Sequence, residues 1–156
     1  MTIKQGGTQA NYTGTILEQF ILARLNEQGY IYVDRNRFIP ARFLEQSIFS
    51  RKFHIGSSIY NTPQYCDFIV YHPQKWPDNL VIETKWQEVG GSVDEKYPYL
   101  VLNIQMKYTT PTILILDGGG YKKGAEQWIR SQSGNGNLTH VFNMKEFTSW
   151  VNKGNL

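Results

Sequence analysis

Apolar residues recur along the chain in two rhythms, one of helices and one of strands. From Thr15 to Gln28, Ile16, Leu17, Phe20, Ile21 and Leu25 keep the spacing of a single helix face, and Gly29 supplies a stop. Thr15 and Glu18 fit a capping box at its start. Residues 30–33 read as a short strand, and a short helix is expected around Ala41–Ile48. Three strand-like runs follow, Lys52–Tyr60, Tyr65–His72 and Leu80–Trp86, parted by turn-rich segments at 61–63 and 73–79. A helix is expected from Ser92 to about Met106, with Ser92 and Glu95 as a second capping pair. Pro98 should kink this helix or split it into a first turn and a main body. Thr112–Leu116 has the unbroken apolar character of a buried strand and ends at Asp117-Gly118-Gly119-Gly120. A short helix near Gly124–Arg130, a strand at Thr139–Phe142 and an amphipathic helix at Met144–Val151 complete the series.

A meander of strands followed by strands linked through helices predicts an α/β domain. Its mixed central β-sheet should be flanked by helices. With 156 residues, no repeat and no linker, the chain reads as one domain, residues 1–156, in which the polar stretch 1–12 is expected to be a loose arm. Ten Tyr, eight Phe and four Trp supply ample apolar bulk for a packed core, which argues against disorder. No apolar run is long enough to cross a bilayer, and no apolar stretch follows Met1 as a secretory signal would require. One cysteine, Cys66, and three scattered histidines can form neither an internal disulfide nor a structural zinc site. An intracellular, cytoplasmic setting is expected.

The net charge of +3 says little by itself, but its distribution says more. Arg35, Arg37, Arg42, Arg51 and Lys52 crowd one stretch against a single acid, Glu45. Such an excess can face a polyanion or be an ordinary solvated surface.

The candidate chemistry lies in the second and third strand-like runs. Asp67 precedes the apolar Phe68-Ile69-Val70, and Glu83 interrupts Leu80-Val81-Ile82-Glu83-Thr84-Lys85. Strand alternation puts Glu83 and Lys85 on one face. Neighbouring strands can bring Asp67 beside them, so that two carboxylates and one amine converge. Close carboxylates are relieved by a hard divalent cation such as Mg²⁺, which keeps waters and phosphate oxygens in its shell. The metal polarises a phosphate and acidifies a bound water, and the Lys85 ammonium can orient that water or stabilise developing charge. Each signal alone is short: an Asp at a strand start also serves as a turn cap, and Glu-x-Lys also occurs on exposed strand faces.

Asp67, then Glu83-Thr84-Lys85 on the following strand, then a helix, resembles the PD-(D/E)XK nuclease superfamily, the restriction-endonuclease-like fold. The resemblance runs from the first helix to Thr112–Leu116. Cys66 stands where the motif's proline would be. The resemblance implies Mg²⁺, replaceable by Mn²⁺, held by Asp67, Glu83 and the backbone carbonyl of Thr84, with Lys85 assisting the attacking water. It also implies that Glu18, on the first helix, reaches the metal; its place in the Thr15 capping box is the competing reading. Gln87, two residues beyond Lys85, is a further catalytic candidate that could orient water or phosphate. Lys96, near the second helix's start, and Lys122 and Lys123, after the glycine run, could meet DNA phosphates alongside Arg35, Arg37, Arg42, Arg51 and Lys52. The glycine run lacks the Gly-Lys-Ser/Thr ending of a Walker loop.

The function expected is a site-specific, Mg²⁺-dependent endonuclease of double-stranded DNA, of restriction or homing type. One small site per chain implies a homodimer or larger symmetric assembly to cut both strands. A junction-resolving nuclease and a non-catalytic DNA-binding subunit on the same fold are the alternatives.

Overall fold

The structure, a computed structural model, describes residues 5–156, with side chains from Ile16 onward. The elements in chain order are α1 (Gln5–Glu27), β1 (Ile31–Tyr32), α2 (Phe38–Ala41), β2 (Ile48–Ser57), β3 (Pro63–His72), β4 (Trp76–Trp86), α3 (Tyr97–Met106), β5 (Thr112–Asp117), α4 (Lys123–Ser131), β6 (Leu138–Phe142) and α5 (Met144–Asn152). Single-turn 3-10 helices at Arg42–Leu44 and Ser92–Lys96 lead into β2 and α3.

The six strands form one sheet in the order of the chain. β2, β3 and β4 are an antiparallel meander, whereas β1 runs parallel to β2, and β4, β5 and β6 run parallel to one another. This is the expected mixed sheet. Two cores cover it. Leu17, Ile21 and Leu25 of α1 join Phe147 and Val151 of α5 against Phe49, Phe68, Val70, Leu80, Ile82, Ile113 and Ile115. On the opposite face Tyr97, Val101 and Ile104 of α3, Ile129 of α4 and Phe38 of α2 pack on Cys66, Ile69, Val81, Leu114 and Leu116. Successive crossovers through α3 and α4, moving the same way across the sheet, fall on the same face, as connections of one hand must.

Two capping expectations are overturned. α1 already runs from Gln5, so Thr15 sits inside the helix and no box forms there. Part of the expected arm, residues 1–4, lies outside the described residues, and 5–12 belong to α1. Ser92 begins a 3-10 turn whose preceding residue, Gly91, makes no side-chain cap bond. The reason is Pro98: it stands in the first turn of α3, so the regular helix begins only at Tyr97. The capping box that does form is at α5, where Asn143 accepts from the Glu146 N–H at 2.8 Å and Glu146 accepts from the Asn143 N–H at 3.1 Å.

Candidate active site

β4 belongs to both halves of the sheet, and the site lies where those halves part. Its pairing with β3 ends at Phe68 opposite Ile82, while its pairing with β5 continues to Trp86 opposite Asp117. Beyond Ile82 the β3 side of β4 therefore has free backbone groups. One is the Thr84 N–H, which donates to Asp67 Oδ2 at 2.8 Å, joined by the Thr84 hydroxyl at 3.0 Å. Asp67 thus takes the ladder position that a β3 carbonyl would otherwise fill.

Glu83 points to the other face and is 5% exposed. Its Oε1 accepts from the Tyr108 hydroxyl at 2.8 Å. Burial first, and then the negative charge of neighbouring Asp67, hold the Glu83 carboxyl well above the ordinary carboxylate range, against the pull of Tyr108 and Lys85. Burial acts on Asp67 in the same direction. There, however, the Lys52 ammonium, the Thr84 N–H and Lys85 outweigh it and hold the group below its ordinary value. Two adjacent carboxylates with opposite tendencies are the electrostatic signature expected of a cation site or an acid-base pair.

Lys85 is exposed and forms no ion pair among the described residues. Glu18 does reach this end of the sheet, but it is engaged: its Oε2 meets Arg51 Nη2 at 2.5 Å and its Oε1 lies 3.7 Å from Lys52 Nζ. Lys52 Nζ in turn donates to Asp67 Oδ1 at 3.0 Å. Glu18 and Asp67 therefore face Arg51 and Lys52 in one charge cluster, with Glu83 buried beside Asp67.

The structure does not bring Gln87 to these carboxylates. Its side chain is buried, accepting from the Tyr97 hydroxyl at 2.6 Å and donating to the carbonyls of Val89 and Gly120 at 3.3 and 3.4 Å. It braces the segment after β4 against the glycine loop after β5. Of the basic residues, Arg51 and Lys52 lie in the charge cluster, and Arg35 reaches it through a 3.1 Å bond from its guanidinium to the Lys52 carbonyl. Arg42 stacks over Tyr71, 5.2 Å from the ring centre and farther along β3, away from Asp67. Arg37, Lys96, Lys122 and Lys123 are exposed. Lys122 and Lys123 follow the loop after β5, at the sheet end that carries Lys85.

Sequence reasoning placed Lys52 on a DNA surface and missed its contact with Asp67. A usable signal existed: antiparallel pairing about the hairpin puts Lys52 directly across from Asp67. Among the described residues, no group of three or more His, Cys, Asp or Glu side chains is arranged to hold a metal. Asp67 and Glu83 are nonetheless neighbouring carboxyls, oxygen donors whose chemistry fits a cation such as Mg²⁺ when waters and phosphate complete its shell. No helix among the described residues is long and apolar enough to cross a membrane.

An α/β sheet that splits around an Asp and a Glu-x-Lys strand defines a nuclease-type fold. The family model for the PD-(D/E)XK nuclease superfamily domain matches residues 9–155. The chain belongs to the PD-(D/E)XK nuclease superfamily. No curated protein and no solved structure matched it.

Proposed function

We propose that this protein is a Mg²⁺-dependent endonuclease that hydrolyses phosphodiester bonds at specific sites in double-stranded DNA, as restriction and homing enzymes do. The observation that carries this reading is the placing of Asp67, Glu83 and Lys85 at the parting of β3 and β4. There a phosphate can approach from solvent while the acids stay anchored.

Asp67 and Glu83, with the Thr84 carbonyl, would hold the cation. When bound, the cation supplies charge to the scissile phosphate and acidifies a water. Thr84 fixes the rotamer of Asp67 through two bonds, and Tyr108 does the same for Glu83. Lys85, exposed and uncommitted, orients the attacking water and stabilises charge on the phosphate oxygens. Glu18 acts through Arg51 and Lys52. Arg35, Arg37, Lys96, Lys122 and Lys123 meet the DNA backbone around the site, and a symmetric homodimer delivers one centre to each strand.

The test is incubation of supercoiled plasmid, linear duplex and four-way junction DNA with the protein and Mg²⁺, beside Lys85→Met. Cutting of duplex DNA at defined sequences, lost in the variant, supports the reading. Cutting confined to junctions would replace site-specific cleavage with junction resolution. Equal cutting by both proteins would remove Lys85 from the mechanism, and no cutting of any form would leave a binding subunit.

A further inference from the structure

Lys52 occupies a backbone conformation that a strand lysine does not choose. Its φ is +50°, in the left-handed region, in the middle of β2. Arg51 pairs with Phe68 and Phe53 with Cys66, so Lys52 and Asp67 face each other without a ladder pairing of their own. Face alternation breaks on both strands at this point. Phe49 packs in the α1–α5 core while Phe53 and Ile55 pack in the other, and Phe68 and Cys66 divide the same way across Asp67. The Arg35 guanidinium grips the carbonyl of Lys52 and so holds the break.

This break aims the ammonium. Of its three N–H groups, one donates to Asp67 at 3.0 Å and a second lies toward Glu18 at 3.7 Å. The side chain remains 54% exposed, and it borders a depression of about 290 Å³ lined by Tyr32, Asp34, Arg35, Arg51 and Lys52. Arg35, Arg51 and Lys52 line it beside Asp34, and Arg51 and Lys52 are shared with Glu18 and Asp67 just behind. What the depression offers an anion is the N–H groups that these three side chains have left over, not a net positive charge. Strain of this kind persists where surrounding contacts impose it and a site uses it.

We propose that Lys52 is a second lysine of the reaction centre, holding Asp67 with one N–H and a non-bridging oxygen of a DNA backbone phosphate in the adjoining depression with another. The proposal rests on the nuclease reading for its substrate, and its test separates the two. Anisotropy of a labelled DNA duplex, titrated with NaCl in the presence of a chelator, needs neither metal nor cleavage. Lys52→Met should lower the slope of log affinity against log salt by about 0.9, the contribution of one phosphate contact. Lys52→Arg should restore it, and Lys153→Met, on the segment after α5, should leave it unchanged. At saturating Mg²⁺, Lys52→Met should cut duplex DNA roughly ten- to a hundredfold more slowly, the cost of a lost charged hydrogen bond. Lys52→Gly should melt about 2–4 °C above Lys52→Met, because both lack the ammonium and only glycine accepts the left-handed backbone. An unchanged salt slope in Lys52→Met, or a wild-type cleavage rate once Mg²⁺ is raised, would reduce Lys52 to a counter-ion that the metal replaces. If the wild-type protein cuts no DNA, the nuclease reading fails, and the salt slope and melting comparison still decide on Lys52.

Discussion

Thr84 approaches Asp67 from one side with both of its donors, the backbone N–H at 2.8 Å and the hydroxyl at 3.0 Å, and both bonds end on Oδ2. Oδ1 is left for Lys52 and for whatever enters the cleft. A residue whose side chain had no obvious chemistry thereby fixes the geometry of the one beside it. Thr84→Val keeps the shape and the amide bond and removes only the hydroxyl. It should cost about 1 kcal/mol of stability and raise the Mg²⁺ concentration needed for half-maximal cleavage, while Thr84→Ser stays near wild type. Equal metal responses from Val and Ser would show that the hydroxyl does not position Asp67.

Glu83 is a buried carboxyl beside another carboxylate, and in the metal-free fold the Tyr108 hydrogen bond and the Lys85 charge offset only part of that cost. Glu83→Gln removes the charge and keeps an oxygen to accept from Tyr108. Its metal-free form should melt several degrees higher than wild type at neutral pH, with cleavage lost, a trade of stability against function. A lower melting temperature in differential scanning calorimetry would contradict this.

The loop after β5 packs its glycines on the strand end after Lys85. A Cβ on Gly118 would lie 2.4 Å from the Gln87 carbonyl oxygen, at a φ of +104°, whereas one on Gly119, at +73°, meets nothing within 4 Å. Gly119→Ala should cost only the left-handed backbone penalty, about 1–2 kcal/mol. Gly118→Ala adds the clash, roughly 1–3 kcal/mol more, and should displace Gln87. Urea unfolding of the two variants checks the difference, and equal costs would mean that the loop shifts freely.

Arg130 reaches Glu146 with two nitrogens, at 2.8 and 3.2 Å, and these bonds hold the Glu146 carboxyl below its ordinary value against the effect of burial. A depressed carboxyl contributes stability above its unfolded pKa of about 4.3, and that contribution is lost as pH falls through the folded value. The pair is partly exposed to solvent, which screens it, so Glu146→Gln should cost no more than about 1 kcal/mol at pH 7. The difference from wild type should vanish in acid. A difference that persists at low pH would assign the effect to helix capping.

Much of this fold was legible because its core residues follow strand and helix rhythms closely. The same regularity hid the site's main irregularity. Phe49, Phe53 and Ile55 are all odd-numbered, so alternation reads them as one face, yet the break at Lys52 sends them to two. The strand expected at Lys52–Tyr60 is β2, Ile48–Ser57, and the short helix expected at Ala41–Ile48 lies earlier, at Phe38–Ala41 and the turn Arg42–Leu44. Asp67, Glu83 and Lys85 stand out in the sequence because carboxylates and an amine interrupt apolar strands, and the strands that carry them, β3 and β4, are neighbours in the sheet. Gln87 shares the face of Glu83 by alternation, but it lies past the end of β4, and its amide is spent on Tyr97 and on the Val89 and Gly120 carbonyls. Glu18 lies at the right end of α1, but its partner Arg51 comes from a strand far away in sequence, and no local pattern reports such a pairing.

The central claim is that Asp67 and Glu83 hold one cation while Lys85 serves the attacking water. Single-turnover cleavage of duplex DNA, measured against Mg²⁺ concentration for wild type, Asp67→Asn, Glu83→Gln and Lys85→Met, tests it most directly. The account predicts that both carboxylate variants lose cleavage together with metal-induced thermal stabilisation. Lys85→Met should keep the stabilisation and cut at least a hundredfold more slowly, within the range of a lost acid-base or charge-stabilising group. Full cleavage by either carboxylate variant, or loss of metal response in Lys85→Met alone, would contradict it.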